Sequence, residues 1–557
     1  MLNYSSKHEI LNDMKTLKYI IAVFAAAVLA SCSLDEQSFT NMEQKNYMKN
    51  AVEAENVLLG VYENLTNEHM YGYHLSLYFP LGTDQAKVSG VSLDGFRDIP
   101  SNMYSTSAVQ VQQTWAALYN GIYDANDFIE RLSGLVGTYS EADKNRAAVM
   151  MAEARALRAL YYFELVRWYG NVVLMKSTAD SKKHPSTFVQ ATPAEVYEYI
   201  EQDLLYAIKT LPYADEDTYR SSNAYRFSKA AAIGLLTKVY ATWAGYPVCD
   251  QSKWQKAVAT AKPLIESGKH GLHEDYEQLW KNTSNGIWDP LESLLEVSFY
   301  APVISGGDAV GRIGKWNGVQ SEQISTDYIR ISAYWTVVPP FISKWIEKEP
   351  KDKRLALSYA DYTYDANKKK TTIGKGFASA IAAGQASNER KTFNGKLYVA
   401  KWDLIKYADN YLSDANYTNT NWYLLRYSDV LLLYAEALNE LNKAPNDDAY
   451  AAINMVRHRA GLSNLTAGLS YEAFKQAVRD ERSYELCFEG HRKQDLVRWG
   501  NYYETIQQTV SDLNDWHEDA NTYYLIGEHT VKGKHELLPI PQRDLDMMTA
   551  CDQNPNW

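Results

Sequence analysis

The residues best spaced for chemistry are three glutamates, Glu481, Glu485 and Glu489, four apart in a segment of helical periodicity. At that spacing their carboxylates share one helix face, an arrangement that serves acid/base catalysis or metal binding. Arg479, Arg482 and Arg492 are interleaved with them. So many guanidinium groups point instead to a structural ion-pair network, which imitates the charge pattern of an active site. Asp84 and Asp94 offer a second carboxylate pair. A glycosidase needs two carboxylates about 5 to 9.5 Å apart across the scissile bond, and nothing in their spacing requires that geometry. The four cysteines, at 32, 249, 487 and 551, include no Cys-x-x-Cys pair and are too few for a disulfide framework. The eleven histidines include no His-x-x-x-His or His-Glu-x-x-His, so neither a metal nor a cofactor is expected. His458 and His491, set among arginines, read as structural. Gly311 to Gly318 has neither phosphate-loop nor dinucleotide spacing and reads as a loop.

Composition narrows the partners. A net charge of -12 without a basic run argues against nucleic-acid binding. The 43 tyrosines and 14 tryptophans suit both helix packing and polar ligands with apolar faces. A chain of 557 residues is long enough for two or three domains or for one extended helical scaffold with insertions.

The elements that must position these residues are mainly helical. Leu424, Tyr427, Leu431, Tyr434, Leu438 and Leu441 follow the period of one buried helix face. Asn446 and Asp447 supply caps for a helix over 449–460 that Gly461 stops. A third helix is predicted over 471–489. In the N-terminal half the spacing predicts helices over 51–65, 115–132, 147–169 (closed by Gly170), 193–209 (capped by Thr192 and ended by Pro212), 227–243 and 253–267. Trp115, Trp168, Trp243 and Trp499 fall on these helices or at their ends and read as core. Residues 71–104 and 288–345 are irregular and aromatic, with a strand-like run over 294–299, and 368–393 is a polar insertion. Short helices with interleaved Ala, Tyr and Leu give the pattern of tetratricopeptide-type packing, although no clean 34-residue repeat is present.

At the N-terminus Lys15 and Lys18 precede an apolar run over 19–30, then Ser31 and Cys32. The run is about a dozen residues, too short for a bilayer span of roughly 20, and reads as a secretory signal. Met14 opens a more ordinary signal than Met1. Leu29-Ala-Ser-Cys32 resembles a bacterial lipobox, which makes Cys32 the expected lipidated residue, and the acidic Ser33-Leu-Asp-Glu36 resembles a surface-export signal.

Longer words carry a family resemblance. Arg426-Tyr-Ser-Asp-Val-Leu-Leu-Leu-Tyr-Ala-Glu-Ala-Leu-Asn-Glu440, Ile453-Asn-Met-Val-Arg-His-Arg-Ala-Gly-Leu462, Glu481-Arg-Ser-Tyr-Glu-Leu-Cys-Phe-Glu-Gly-His-Arg492 and Asp495-Leu-Val-Arg-Trp-Gly500 resemble the C-terminal signature of SusD/RagB-type proteins. Leu538-Pro-Ile-Pro541 and Gln553-Asn-Pro-Asn-Trp557 sit where that family carries its closing motifs. Residues 153–170 and 227–240 are similar to its N-terminal helices, although Gly170-Asn-Val-Val-Leu174 lacks a proline the family often has before the leucine.

The resemblance implies a mainly α, tetratricopeptide-like scaffold with long loop insertions and a few short strands. It implies three regions: a lipoprotein signal at 1–31, an N-terminal helical region at 32–270, and a C-terminal region at 271–557 with ligand loops and closing helices. It also implies a non-catalytic outer-membrane lipoprotein, held by its lipid alone, that delivers glycan to a SusC-like TonB-dependent barrel. In that family the two irregular regions converge. A pyranose offers apolar C–H faces and polar edges, so it needs aromatic platforms beside Asp, Asn or Arg. The candidates are therefore Asp84, Asp94, Phe96, Asn102 and Tyr104 from the first region and Tyr300, Trp316, Asn317, Tyr334 and Trp335 from the second. A RagB-like peptide binder is the alternative, and it would line its cavity with polar groups for backbone hydrogen bonds. A glycoside hydrolase is the third reading.

Overall fold

The computed structural model describes residues 47–91, 95–219, 225–300, 311–324, 330–373, 377, 395–409, 416–517 and 519–557. The leader with Cys32, Asp94 and most of the 368–393 insertion lie outside the described residues.

Local signals start and stop the N-terminal helices. α1 (Ala51–Glu63) begins at Asn50, whose side chain accepts the Glu53 amide at 3.0 Å. α2 (Val109–Leu135) and α3 (Glu141–Tyr169) follow, and α3 ends at Gly170 with φ 71°. α4 (Pro193–Thr210) opens with a full capping box: the Glu195 amide donates to Thr192 Oγ1 at 3.3 Å, and the Thr192 amide donates to Glu195 at 2.7 Å. Such a cap contributes about 1 kcal/mol. α5 (Lys229–Trp243) and α6 (Lys253–Glu266) complete this half.

Each helix packs on the next from α2 to α6. A Cβ at Gly121 would stand 2.8 Å from the Tyr161 ring, so the missing side chain lets α2 approach α3. The second half of α3 is buried nearly all round, and its charged groups are paired: Arg158 with Asp203 at 2.8 Å, Glu153 with Arg226 at 2.8 Å. Trp115, Trp168 and Trp243 are buried, whereas Trp499 is half-buried with its indole N–H on Glu436 at 2.8 Å.

Strands are short and pair only in twos among the described residues. β1 (Ala86–Val88) runs antiparallel to β3 (Trp335–Val337), and β2 (Ser293–Val297) to β4 (Trp422–Arg426). Here the structure departs from the periodicity. The helix expected from Leu424 begins only at Tyr427, because residues 422–426 are extended against β2 and the Tyr427 amide donates to Glu292 O at 2.8 Å. α7 (Tyr427–Asn442) then packs on α6, on α8 (Asp447–Arg459) and on α9 (Tyr471–Glu485), so one scaffold joins the two halves of the sequence. Asn446 caps α8 as expected, and Gly461 follows its end at φ 77°.

α9 stops at Glu485, four residues short of expectation. Phe488 (φ 64°) and Gly490 (φ 80°) turn the chain, carrying Glu489 onto Arg426 and Lys401, both at 2.8 Å. The glutamate trio does form an ion-pair network, but with distant arginines. Glu485 meets Arg354 at 3.0 Å, Arg426 at 2.9 Å and Arg459 at 2.5 Å, and Glu481 meets Arg354 at 2.7 Å and Arg457 at 3.2 Å. The nearby arginines look elsewhere: Arg482 to Asp429 at 2.7 Å, Arg492 to Asp84 at 2.6 Å, and Arg479 onto the Trp499 ring at 4.7 Å. His491 is buried, with Nδ1 2.9 Å from Lys238.

Two outcomes follow from these buried carboxyls. Burial alone would raise the Glu485 carboxyl, but Arg459, Arg426 and Arg354 outweigh it and hold it well below the usual range. Glu485→Gln leaves three buried guanidinium groups short of a charge and should lose about 3–5 kcal/mol in urea unfolding at pH 7. Because the folded carboxyl titrates below the unfolded value of about 4.3, the gap to wild type is full above that pH and narrows in acid. Glu296 on β2 behaves oppositely, since burial pushes its carboxyl up to about 8. The native state keeps its proton, so this group's contribution is complete below about pH 4.3 and is lost as pH rises from there to about 8. Glu296→Gln should raise the melting temperature at pH 9 more than at pH 5.

Candidate functional site

The ion-pair network and the strands it holds support the turn that carries Trp316. Lys401 donates to Glu489 at 2.8 Å and to the Glu485 carbonyl at 2.9 Å. Its neighbour Trp402 stacks on Trp422 of β4, ring centroids 5.2 Å apart. The Trp402 carbonyl lies 2.4 Å from where a Cβ on Gly318 would stand, so only glycine fits there. Gly314 adopts φ 82°, and its amide donates to Asn317 Oδ1 at 2.6 Å, buckling the turn. The expected glycine-rich loop is thus a tight, packed turn.

Backbone bonds then join the two irregular regions. The Arg312 amide donates to Gly72 O at 3.0 Å, the Trp335 amide to Trp316 O at 2.9 Å and the Ser89 amide to Tyr334 O at 2.6 Å. These bonds gather four rings. Trp316 lies 4.2 Å from Tyr334, 4.8 Å from Tyr73 and 6.1 Å from Phe96, and Phe96 meets Tyr334 edge-on at 4.8 Å. Trp316, 8 % exposed, and Tyr73 form the base; Phe96 and Tyr334 are half-buried and form the accessible part.

Two guanidinium groups lie on these rings. Arg97 stands 4.0 Å over Phe96 and donates to Ser89 O at 2.7 Å. Arg312 stands 4.5 Å over Tyr73 and 4.7 Å over Trp316, and pairs with Glu68. Flat apolar faces beside fixed donors suit a ligand with apolar faces and hydroxyl edges.

The remaining sequence-predicted residues are placed apart from this platform. Trp335 is buried in β3 with its indole N–H on Leu77 O at 2.7 Å, and Asn317 is buried in the turn it braces. Asp84 is held bidentately by Arg492 at 2.9 and 2.6 Å. Asn102, in the left-handed conformation at φ 57°, donates to Thr530 at 2.8 Å and to Tyr502 at 3.2 Å. It lines a separate cavity of about 580 Å³ together with Tyr104, whose ring packs on Trp557 at 5.0 Å. Tyr300 is 69 % exposed, and no ring of a described residue stacks on it. Sequence reasoning missed Tyr73, Arg97 and Arg312. Their only signal was membership of the same two irregular stretches, since their convergence rests on backbone bonds between segments more than 200 residues apart.

Comparison with known proteins gives the class of this helical scaffold with ring-bearing loops. Residues 343–557 match the model described as the SusD family, and residues 34–241 match one described as "Starch-binding associating with outer membrane". A SusD homolog from Bacteroides thetaiotaomicron VPI-5482 is 53 % identical, covers 94 % of this chain and 100 % of its own, and superposes with a TM-score of 0.88. A laminarin-binding SusD-like protein is 26 % identical, with coverage of 91 % and 100 % and a TM-score of 0.66. The starch-binding protein SusD of Bacteroides thetaiotaomicron is 23 % identical over 83 % of this chain and 82 % of its own. The chain belongs to the SusD family.

The buried base and the accessible rings should respond differently to truncation. Trp316→Ala should lose about 3–5 kcal/mol of stability, whereas Tyr334→Ala should lose less than half as much, both read from urea midpoints.

Proposed function

We propose that this protein captures oligosaccharide at the cell surface and passes it, without catalysis, to a SusC-like TonB-dependent barrel in the outer membrane. The observation that carries this reading is the Phe96–Tyr334 platform on its Trp316 base, with Arg97 and Arg312 supplying donors beside the ring faces. The outer-membrane, starch-binding description of the matched model and the glycan-binding names of relatives support it. Sugar rings stack on Phe96 and Tyr334 while hydroxyl edges take the guanidinium donors. Contacts of this kind are individually weak, so several sugar residues bind together with an affinity of about micromolar or weaker.

Cys32 serves as the lipid anchor in this reading. Acyl chains gain about 0.8 kcal/mol per buried CH₂. No helix among the described residues is long and apolar enough to cross a membrane.

Binding to a panel of plant, host and microbial glycans, with Phe96→Ala/Tyr334→Ala alongside, tests the proposal. Saturable binding to one glycan class, weakened at least tenfold in the variant at unchanged helical content, is the expected result. Binding to peptides alone would sink it in favour of the RagB-like alternative, and release of reducing sugar from a bound glycan would sink the non-catalytic claim.

A further inference from the structure

One edge of the ring platform is positively charged, although the whole chain carries a net charge of -12. That edge is built on Ser89. Val88 of β1 lies opposite Trp335 of β3, and the pairing runs one residue further, where the Ser89 amide donates to Tyr334 O at 2.6 Å. Directly opposed side chains of an antiparallel pair share a face, so Ser89 is the neighbour of the Tyr334 ring.

Three cations gather at this serine. Lys396 Nζ donates to Ser89 Oγ at 3.2 Å, and Arg97 Nε donates to Ser89 O at 2.7 Å with its guanidinium 4.0 Å over Phe96. Lys87 stands two residues before Ser89 on β1. Lys396 is exposed and Ser89 and Arg97 are half-buried, so these three are open to solvent. Neither Lys396, bonded to Ser89 Oγ, nor Lys87, bonded to Val88 O at 3.2 Å, pairs with a carboxylate among the described residues. Lys87 is enclosed against the Tyr523 ring, 4.3 Å away, and contacts no ligand. Burial, then the charges of Lys396 and Arg97, bring its ammonium down to about 7. The neighbouring carboxylates look elsewhere: Glu68 pairs with Arg312 at the base rings, and Asp98 lines the cavity beside Asn102.

We infer that the platform takes an acidic glycan, whose carboxylate or sulfate group seats at Ser89 between Lys396 and Arg97 while its sugar ring stacks on Tyr334 and Phe96. The inference rests on the platform being the sugar-binding surface and names the class of sugar that surface selects. Accepting the Lys396 ammonium leaves the Ser89 hydroxyl hydrogen to donate, so an ammonium, a hydroxyl and a guanidinium face one oxyanion. A neutral sugar takes such donors through its hydroxyls but leaves the repulsion among the cations in place, whereas an oxyanion offsets it. Because the edge is open to solvent, added salt screens this attraction.

Titration of the purified protein with polygalacturonate, alginate, chondroitin sulfate and carrageenan, beside neutral starch, laminarin, xyloglucan and galactomannan, tests the inference. Every acidic glycan that binds is titrated again after carboxyl reduction or desulfation. Binding should be confined to acidic glycans, and removing their charge should weaken it at least tenfold. Lys396→Met removes an exposed charge, so it should keep the melting temperature and weaken the acidic ligand at least fivefold, a loss that shrinks as salt rises. Phe96→Ala/Tyr334→Ala should weaken the same ligand at least tenfold. Binding to neutral glycans alone, equal affinity before and after charge removal, or unchanged affinity in Lys396→Met would each overturn the inference and leave the platform reading standing. Acidic binding untouched by Phe96→Ala/Tyr334→Ala, or no binding to any glycan, would overturn both.

Discussion

Charge pairing inside the C-terminal half is the constraint on which the rest of the structure depends. Glu485 is buried among Arg354, Arg426 and Arg459, and Arg426 also reaches Glu292 and Glu489. None of these ions tolerates burial alone, and each is held by partners from other segments of the chain. The network therefore requires that the segments around 292, 354, 426, 459 and 485 arrive together. It explains why the chain is extended over 422–426 and why it turns after Glu485. Both departures from simple helical periodicity bring a charge to its partner.

From this network a continuous path of contacts leads to the loops. Lys401 is fixed by Glu489, Trp402 stacks on Trp422, and the Trp402 carbonyl closes on Gly318. The turn from Gly314 to Gly318 is thereby set, and Trp316 with it. Tyr73, Phe96 and Tyr334 gather on that indole, so the accessible rings rest on a base whose position is fixed from the protein interior. If the rings take the ligand proposed for them, such a base orders them beforehand, which lowers the entropy lost on binding. The scaffold of this chain thus places its irregular segments by burying charge beneath them.

Much of the scaffold was legible in the sequence. Thr192 with Glu195, Asn446 and Gly170 set helix ends through bonds or backbone freedom that depend only on near neighbours. The buried tryptophans on helices followed from periodicity in the same way. Leu424 was misread because an apolar run at a helix boundary has the same composition in a strand. Glu489 was misread because its spacing continues the helix, while its side chain belongs to a turn.

Sequence alone determined the helix-rich class, the caps, the family and the two stretches from which a platform could come, because each is encoded by residue type and short spacing. Tertiary structure decided which rings meet and which polar groups remain available. Trp335 and Asn317 carry the right chemistry, yet they spend it inside the fold, and Asp84 spends its own on Arg492. Tyr73 and Arg312, unremarkable as letters, enter the platform through the bond from Arg312 to Gly72. Adjacency across more than 200 residues is set by burial, backbone pairing and charge neutralisation together, and none of these leaves a local mark in the chain.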